Sequence, residues 1–110
     1  MHRLLIEHGL RDRVKLLASG KLITADKVAI ALALGADLVN IARGLMFNVG
    51  CIQAQVCHTN RCPVGVATTD ATLQRALVVD EKSYRVTNYT ISLREGLYNM
   101  AAAAGVHRRN

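Results

Sequence analysis

The chain has 110 residues, 51% of them apolar and 20% charged, which suits one small domain and argues against intrinsic disorder. No apolar run reaches the roughly 18 residues a bilayer span requires, and the opening "MHRLLIEHGLRDR" lacks the apolar core and small-residue cleavage site of a signal peptide. The formal net charge of +6 raises nucleic acid as a partner. Against that reading, the basic residues are scattered from Arg3 to Arg109 among acids, and one Phe, three Tyr and no Trp leave little for base stacking. The expectation is a cytoplasmic protein without membrane or nucleic-acid partners, its charge forming a solvated basic face or a surface that meets an acidic partner.

In chain order, "LLIEHGLRDR" reads as the end of a helix and a turn, with Gly9 as the stop because glycine enters the left-handed region without steric cost. "VKLLASG" follows as a short buried strand that halts at Ser19 and Gly20. Thr24 is a good N-cap, and Asp26 sits where the positive end of a helix dipole favours an acid. A nearly all-apolar helix is therefore expected over 25–34, stopped by Gly35. "ADLVNIARG" supplies a second buried strand over about 37–42. Strand, helix and strand in some 30 residues have the size of one βαβ unit, so the two strands should be parallel neighbours.

Beyond Gly44 a short apolar helix leads into a turn-rich loop marked by Asn60, Pro63 and Gly65. A short helix is expected over about 72–77 and a longer one over about 81–104, stopped by Gly105. Two parallel strands cannot complete a core by themselves, since such sheets are covered on both faces. The pattern is that of part of a larger α/β domain.

Two groups of residues carry chemistry. Ser19, Gly20 and Lys21 follow the first strand, and Ala42 and Arg43 follow the second, so both loops open at the carboxyl edge of adjacent strands. In (β/α)8 barrels the loops after the seventh and eighth strands commonly bind phosphate through backbone N–H groups. Gly20 would let the backbone approach closely, and Lys21 or Arg43 would supply counter-charge. A plain turn at Ser-Gly-Lys is the alternative.

The second group is Cys51, Cys57 and Cys62, the chain's three cysteines, in C-x5-C-x4-C spacing. An odd number cannot all pair within one chain, and the spacing matches neither the common zinc patterns nor a C-x2-C-x2-C ferredoxin run. Three thiolates in one loop could hold three irons, one each, as in a [3Fe–4S] cluster; the alternative is three buried small hydrophobes. His58 could hydrogen-bond a cluster sulfur or face solvent. His2, His8 and His107 look like surface or terminal residues.

"GLMFNVGCIQAQVCHTNRCPVGVATTD", residues 44–70, resembles the signature of glutamate synthase, and the resemblance covers about residues 9–105. It implies the C-terminal portion of a (β/α)8 TIM barrel, with strands seven and eight, their helices, the iron–sulfur loop and C-terminal helices. Residues 1–110 would then be part of the FMN-binding synthase domain: a βαβ unit over about 13–47, the iron–sulfur loop over 50–70 and helices over 71–105. The resemblance implies FMN, its phosphate near Ser19, Gly20, Lys21, Ala42 and Arg43, and a [3Fe–4S] cluster on Cys51, Cys57 and Cys62.

The family's reaction condenses ammonia with 2-oxoglutarate and reduces the product to glutamate through reduced FMN. Most of the family's substrate-binding residues lie in parts this sequence does not contain, so no catalytic acid or base is assigned. The implied partners are the remainder of the barrel or subunit and an electron donor, either a subunit or ferredoxin; the location is cytoplasmic, or the stroma in a photosynthetic eukaryote. The segment alone is expected to be inactive. The other functional class in play is a non-catalytic iron–sulfur or metal-binding redox module.

Overall fold

A computed structural model describes residues 1–106. Their contacts divide the chain into two compact units, one of Met1–Ala42 with the chain from Leu93 onward, the other of Arg43–Ser92.

The first unit begins with helix α1 (His2–Glu7), a 3-10 turn (Arg11–Arg13) and strand β1 (Leu17–Ser19). Helix α2 (Ala25–Ala33) then leads to strand β2 (Leu38–Asn40). β1 and β2 pair in parallel, with Leu17, Ala18 and Ser19 opposite Leu38, Val39 and Asn40, as the βαβ spacing predicts. Both carboxyl ends therefore lie at one sheet edge. Thr24 is the N-cap of α2 in extended conformation, and its hydroxyl bonds the Asp26 carboxylate rather than a backbone N–H. That bond is the main reason the Asp26 carboxyl titrates below its ordinary value.

The second unit holds helix α3 (Arg43–Asn48), a 3-10 turn (Cys57–Thr59) and helix α4 (Ala71–Gln74). Helix α5 (Val79–Ala103) contributes to both units. In the first of them Gly96 lets α5 approach α2, since a Cβ there would stand 2.7 Å from that of Ala25.

Four helices stop in the same way. Gly9, Gly35, Gly50 and Gly105 all have φ between +66° and +111°. Each glycine N–H and the one after it return to carbonyls of the preceding turn: at Gly35, for example, Gly35 N–H bonds Leu32 O at 3.1 Å and Ala36 N–H bonds Ala31 O at 3.2 Å. This is the Schellman arrangement, which satisfies the last orphan carbonyls of the helix and needs a left-handed residue at its turn.

Burial departs from the sequence reading. Among the described residues the buried apolar side chains are Val28, 1% exposed, and Cys62, 8% exposed. The strands, expected to be buried, are three residues each, with Leu17 and Leu38 exposed by 63% and 56%. Ile30 of α2 and Leu34 at its C-cap are open as well. The physical reason is that α2 covers only part of a two-stranded sheet, and a parallel sheet needs a layer on each face. The helix expected over 72–77 is shorter, at Ala71–Gln74, and α5 starts two residues before the expected 81.

His2 is a second correction. Its ring is half-buried, stacked where a Gly35 Cβ would stand, only 2.3 Å from its Cγ. Its Nδ1 accepts the Arg11 Nε–H at 2.8 Å. His8 is exposed as expected, its Nδ1 2.8 Å from Leu4 O, and His107 lies outside the described residues. Among those residues no helix is long and apolar enough to cross a membrane.

Candidate functional site

The first candidate lies at the carboxyl edge of the sheet. Ser19 stands opposite Asn40 in the register, so the Gly20–Lys21 turn and the Ile41–Ala42 segment leave the same edge side by side. Gly20 has φ +112° and Lys21 φ +56°; two successive positive-φ residues turn the chain sharply, and the second is costly for a side chain other than Gly, Asn or Asp. No atom outside its immediate neighbours lies within 4 Å of where a Gly20 Cβ would stand. The backbone there is open to a bound group, as close approach of an anion requires.

Ser19, Lys21 and Ala42 are exposed. Beside the turn runs an open groove of about 320 Å³ lined by Gly20, Lys21, Leu22, Lys27, Ile30, Ala31 and Leu34. Its charges are both positive. Arg43 is the next residue after Ala42 and opens α3, in the other unit.

The second candidate is the cysteine loop, which lies within the second unit. Cys51 is half-buried and follows the Gly50 stop of α3, its N–H on Met46 O at 3.0 Å. Gln53 and Gln55 then both take positive φ, +57° and +59°. Cys57 opens the 3-10 turn and is exposed, as is His58. Lys82 of α5 runs alongside, with its Nζ 3.6 Å from the site of a Gly50 Cβ.

Cys62 is buried. The backbone N–H of Ala67 holds its thiol below the ordinary cysteine value of 9.0, opposed by desolvation and reinforced by the N–H groups of Val64, Val66 and Gly65. Backbone N–H groups beside a thiol favour its thiolate. Gly65, at φ +79°, turns the loop back against α4, where an added Cβ would stand 2.5 Å from Leu73 O. Asp70 caps α4 by accepting the Thr72 N–H at 2.8 Å.

All three cysteines are free thiols. The donor chemistry therefore suits a soft metal or an iron–sulfur group. The sulfurs are not drawn together, however: among the described residues no three or more His, Cys, Asp or Glu side chains are grouped to hold a metal ion. The burial expected under the hydrophobe alternative holds for Cys62 and not for Cys57.

Sequence reasoning left two sets of contacts unread. One is Arg11 with Asp37, which gathers five segments of the first unit. The other is Asn60, read only as a turn former, whose side chain reaches across the loop to Thr69.

Comparison with known proteins identifies the chain. The sequence model of a family described as a conserved region in glutamate synthase matches residues 1–107. The chain is 69% identical over 104 residues to the glutamate synthase large subunit-like protein YerD of Bacillus subtilis (strain 168), which covers 94% of this chain and 20% of that protein. It is 36% identical over 104 residues to the glutamate synthase [NADPH] large chain of the same organism, covering 94% of this chain and 7% of the relative. Against the ferredoxin-dependent glutamate synthase of Cyanidium caldarium it is 46% identical over 96 residues, which is 86% of this chain and 6% of that protein. The chain thus spans a fifth or less of the length of each of these relatives. A match over nearly its whole length places it in the glutamate synthase family.

Proposed function

We propose that this chain is a segment of an FMN- and iron–sulfur-dependent glutamate synthase, an oxidoreductase forming L-glutamate from 2-oxoglutarate and glutamine-derived ammonia. The fold reading that goes with it is the C-terminal portion of a (β/α)8 barrel, with β1 and β2 as the last two strands. The observation that carries the proposal is the loop of three free thiols inside a family-matched segment.

Cys51, Cys57 and Cys62 would hold a [3Fe–4S] cluster. Cys62 is best prepared, because the backbone N–H groups beside it already favour the thiolate that a metal requires. At the sheet edge, Ser19, Gly20, Lys21 and Ala42 would bind the FMN phosphate: Gly20 leaves the backbone accessible, and Lys21 supplies positive charge. Arg43 is assigned to the same phosphate by its place in the sequence. When bound, the flavin supplies the reducing equivalents for the imino acid, and the cluster carries electrons to it. The electron donor would be a partner subunit or ferredoxin, as the names of the relatives suggest.

The testing experiment is iron and acid-labile sulfide analysis of a complete synthase carrying this segment, purified anaerobically as wild type and as Cys57→Ser. Iron and sulfide bound by wild type and lost in the variant support the ligand set, and equal iron in both overturns it for Cys57.

A further inference from the structure

Residues 61–67 of the cysteine loop are bracketed by contacts of one residue, Asn60, with Thr68 and Thr69. Asn60 has φ +63°, a left-handed conformation that Asn tolerates far better than most residues. Its side-chain Oδ1 accepts the Thr69 N–H at 2.7 Å and the Thr69 hydroxyl at 3.2 Å. Its carbonyl accepts the Thr68 hydroxyl at 2.7 Å. Thr68 is anchored in turn, since its Oγ1 also accepts the Asp70 N–H at 3.1 Å and its carbonyl accepts from Gln74 Nε2 at 2.9 Å. One end of the loop is thus tied to the other, and the second end to α4.

Cys62 lies inside that closed segment and is buried, 8% exposed. That burial holds only while the loop stays folded over the sulfur, and within the segment the Gly65 N–H bonds Cys62 O at 3.2 Å. The Asn60 clasp supplies a further constraint, joining the two ends of the loop. We propose that Asn60 is a positioning residue for Cys62: by holding Thr68 and Thr69 it keeps the 61–67 loop closed and presents the sulfur in the place from which it would bind iron. The proposal rests on the iron–sulfur reading above, but the clasp is measurable without any metal.

Three replacements separate its parts. Asn60→Asp keeps both the acceptor oxygen and tolerance of the left-handed backbone, Asn60→Gly keeps only the backbone, and Asn60→Ala keeps neither. A reduced, metal-free synthase carrying this segment is alkylated with iodoacetamide, and Cys51, Cys57 and Cys62 are quantified by peptide mass spectrometry, with exposed Cys57 as the internal reference. Each preparation is also reconstituted anaerobically with ferrous iron and sulfide, and its iron and absorption spectrum are measured.

With two hydrogen bonds removed, Asn60→Ala should label Cys62 about tenfold faster, with Cys57 unchanged and iron uptake reduced; Asn60→Gly should fall between, and Asn60→Asp should match wild type on both readouts. Cys62 labelling in Asn60→Ala equal to wild type overturns the proposal, as does a wild-type Cys62 that labels as fast as Cys57. If all three variants lose helical circular dichroism together, Asn60 supports the fold in general and the positioning role is overturned. A wild type that protects Cys62 yet takes up no iron overturns the proposal through the iron–sulfur reading, leaving the clasp intact as a structural contact.

Discussion

Arg11 and Asp37 form an ion pair 2.7 Å long that holds the first unit together at a point where five segments meet. The same Arg11 Nη2 donates to Gly35 O at 2.8 Å, Nη1 to Val14 O at 2.9 Å and Nε to His2 at 2.8 Å. Asp37 also accepts the Leu16 N–H at 2.8 Å, at the entrance to β1. The arginine thus links α1, the 3-10 turn, the end of α2 and the start of both strands.

The pH dependence of this hub has a definite sign. The Leu16 N–H, and after it the Arg11 side chain, hold the Asp37 carboxyl below the ordinary 3.8. A carboxylate whose folded value is depressed contributes stability above its unfolded value, and loses it as pH falls through the folded value. Asp37→Asn should therefore be less stable than wild type at neutral pH, and the difference should shrink on acidification below 3.8. Urea titrations of both proteins across that range check this; a difference independent of pH would show that the charge is not what matters.

Gly35→Ala should destabilise the same region from another direction. The residue sits at φ +111°, and the new methyl would collide with the His2 ring at 2.3 Å. Conformational strain alone at such a position costs roughly 1–3 kcal/mol. His2→Ala in the same background should recover the steric part and leave the strain, which thermal or urea unfolding of wild type and the two variants resolves.

At the sheet edge, Gly20→Val in a synthase carrying this segment should weaken FMN binding. Gly20 adopts φ +112° and has open space where the side chain would go, so the change strains the turn and fills the approach to its backbone. Flavin fluorescence titration measures the affinity. Unchanged affinity would remove this turn from the flavin site.

Cys57→Ser in such an enzyme should show the converse pattern, with flavin absorption retained, iron lost and turnover nearly abolished. The serine is close in size, so a merely structural cysteine would leave iron content unchanged.

By itself the 110-residue chain should form no glutamate from 2-oxoglutarate and ammonia, and it should self-associate. Leu17, Leu38, Ile30 and Leu34 expose apolar surface, which in water drives association. Light scattering at increasing concentration and an assay for glutamate check both expectations.

What the sequence made legible follows from how local each signal is. Gly9, Gly35 and Gly105 could be read as helix stops because a left-handed cap is written in one residue. Gly50 performs the same task but escaped that reading, since α3 has only six residues and no period long enough to mark where it ends. The parallel pairing of β1 and β2 was legible from the length of the crossover. Their burial was not, because burial belongs to whatever covers a sheet and not to the strand itself. In the cysteine loop, residue type announced thiol chemistry, whereas the positive φ of Gln53 and Gln55 has no compositional sign. The reach of Asn60 to Thr69 spans nine positions and depends on side-chain geometry alone.

The repeated glycine stop has a consequence for the order in which this segment takes shape as it leaves the ribosome. Each of α1, α2, α3 and α5 is ended by bonds that return only to its own last turns, so its boundary is complete once the glycine and the residue after it have been synthesised. Sheet pairing must wait for a strand some twenty positions further on. Helix boundaries in this segment are therefore a matter of local chain chemistry, and strand pairing selects among packings without having to decide where a helix stops.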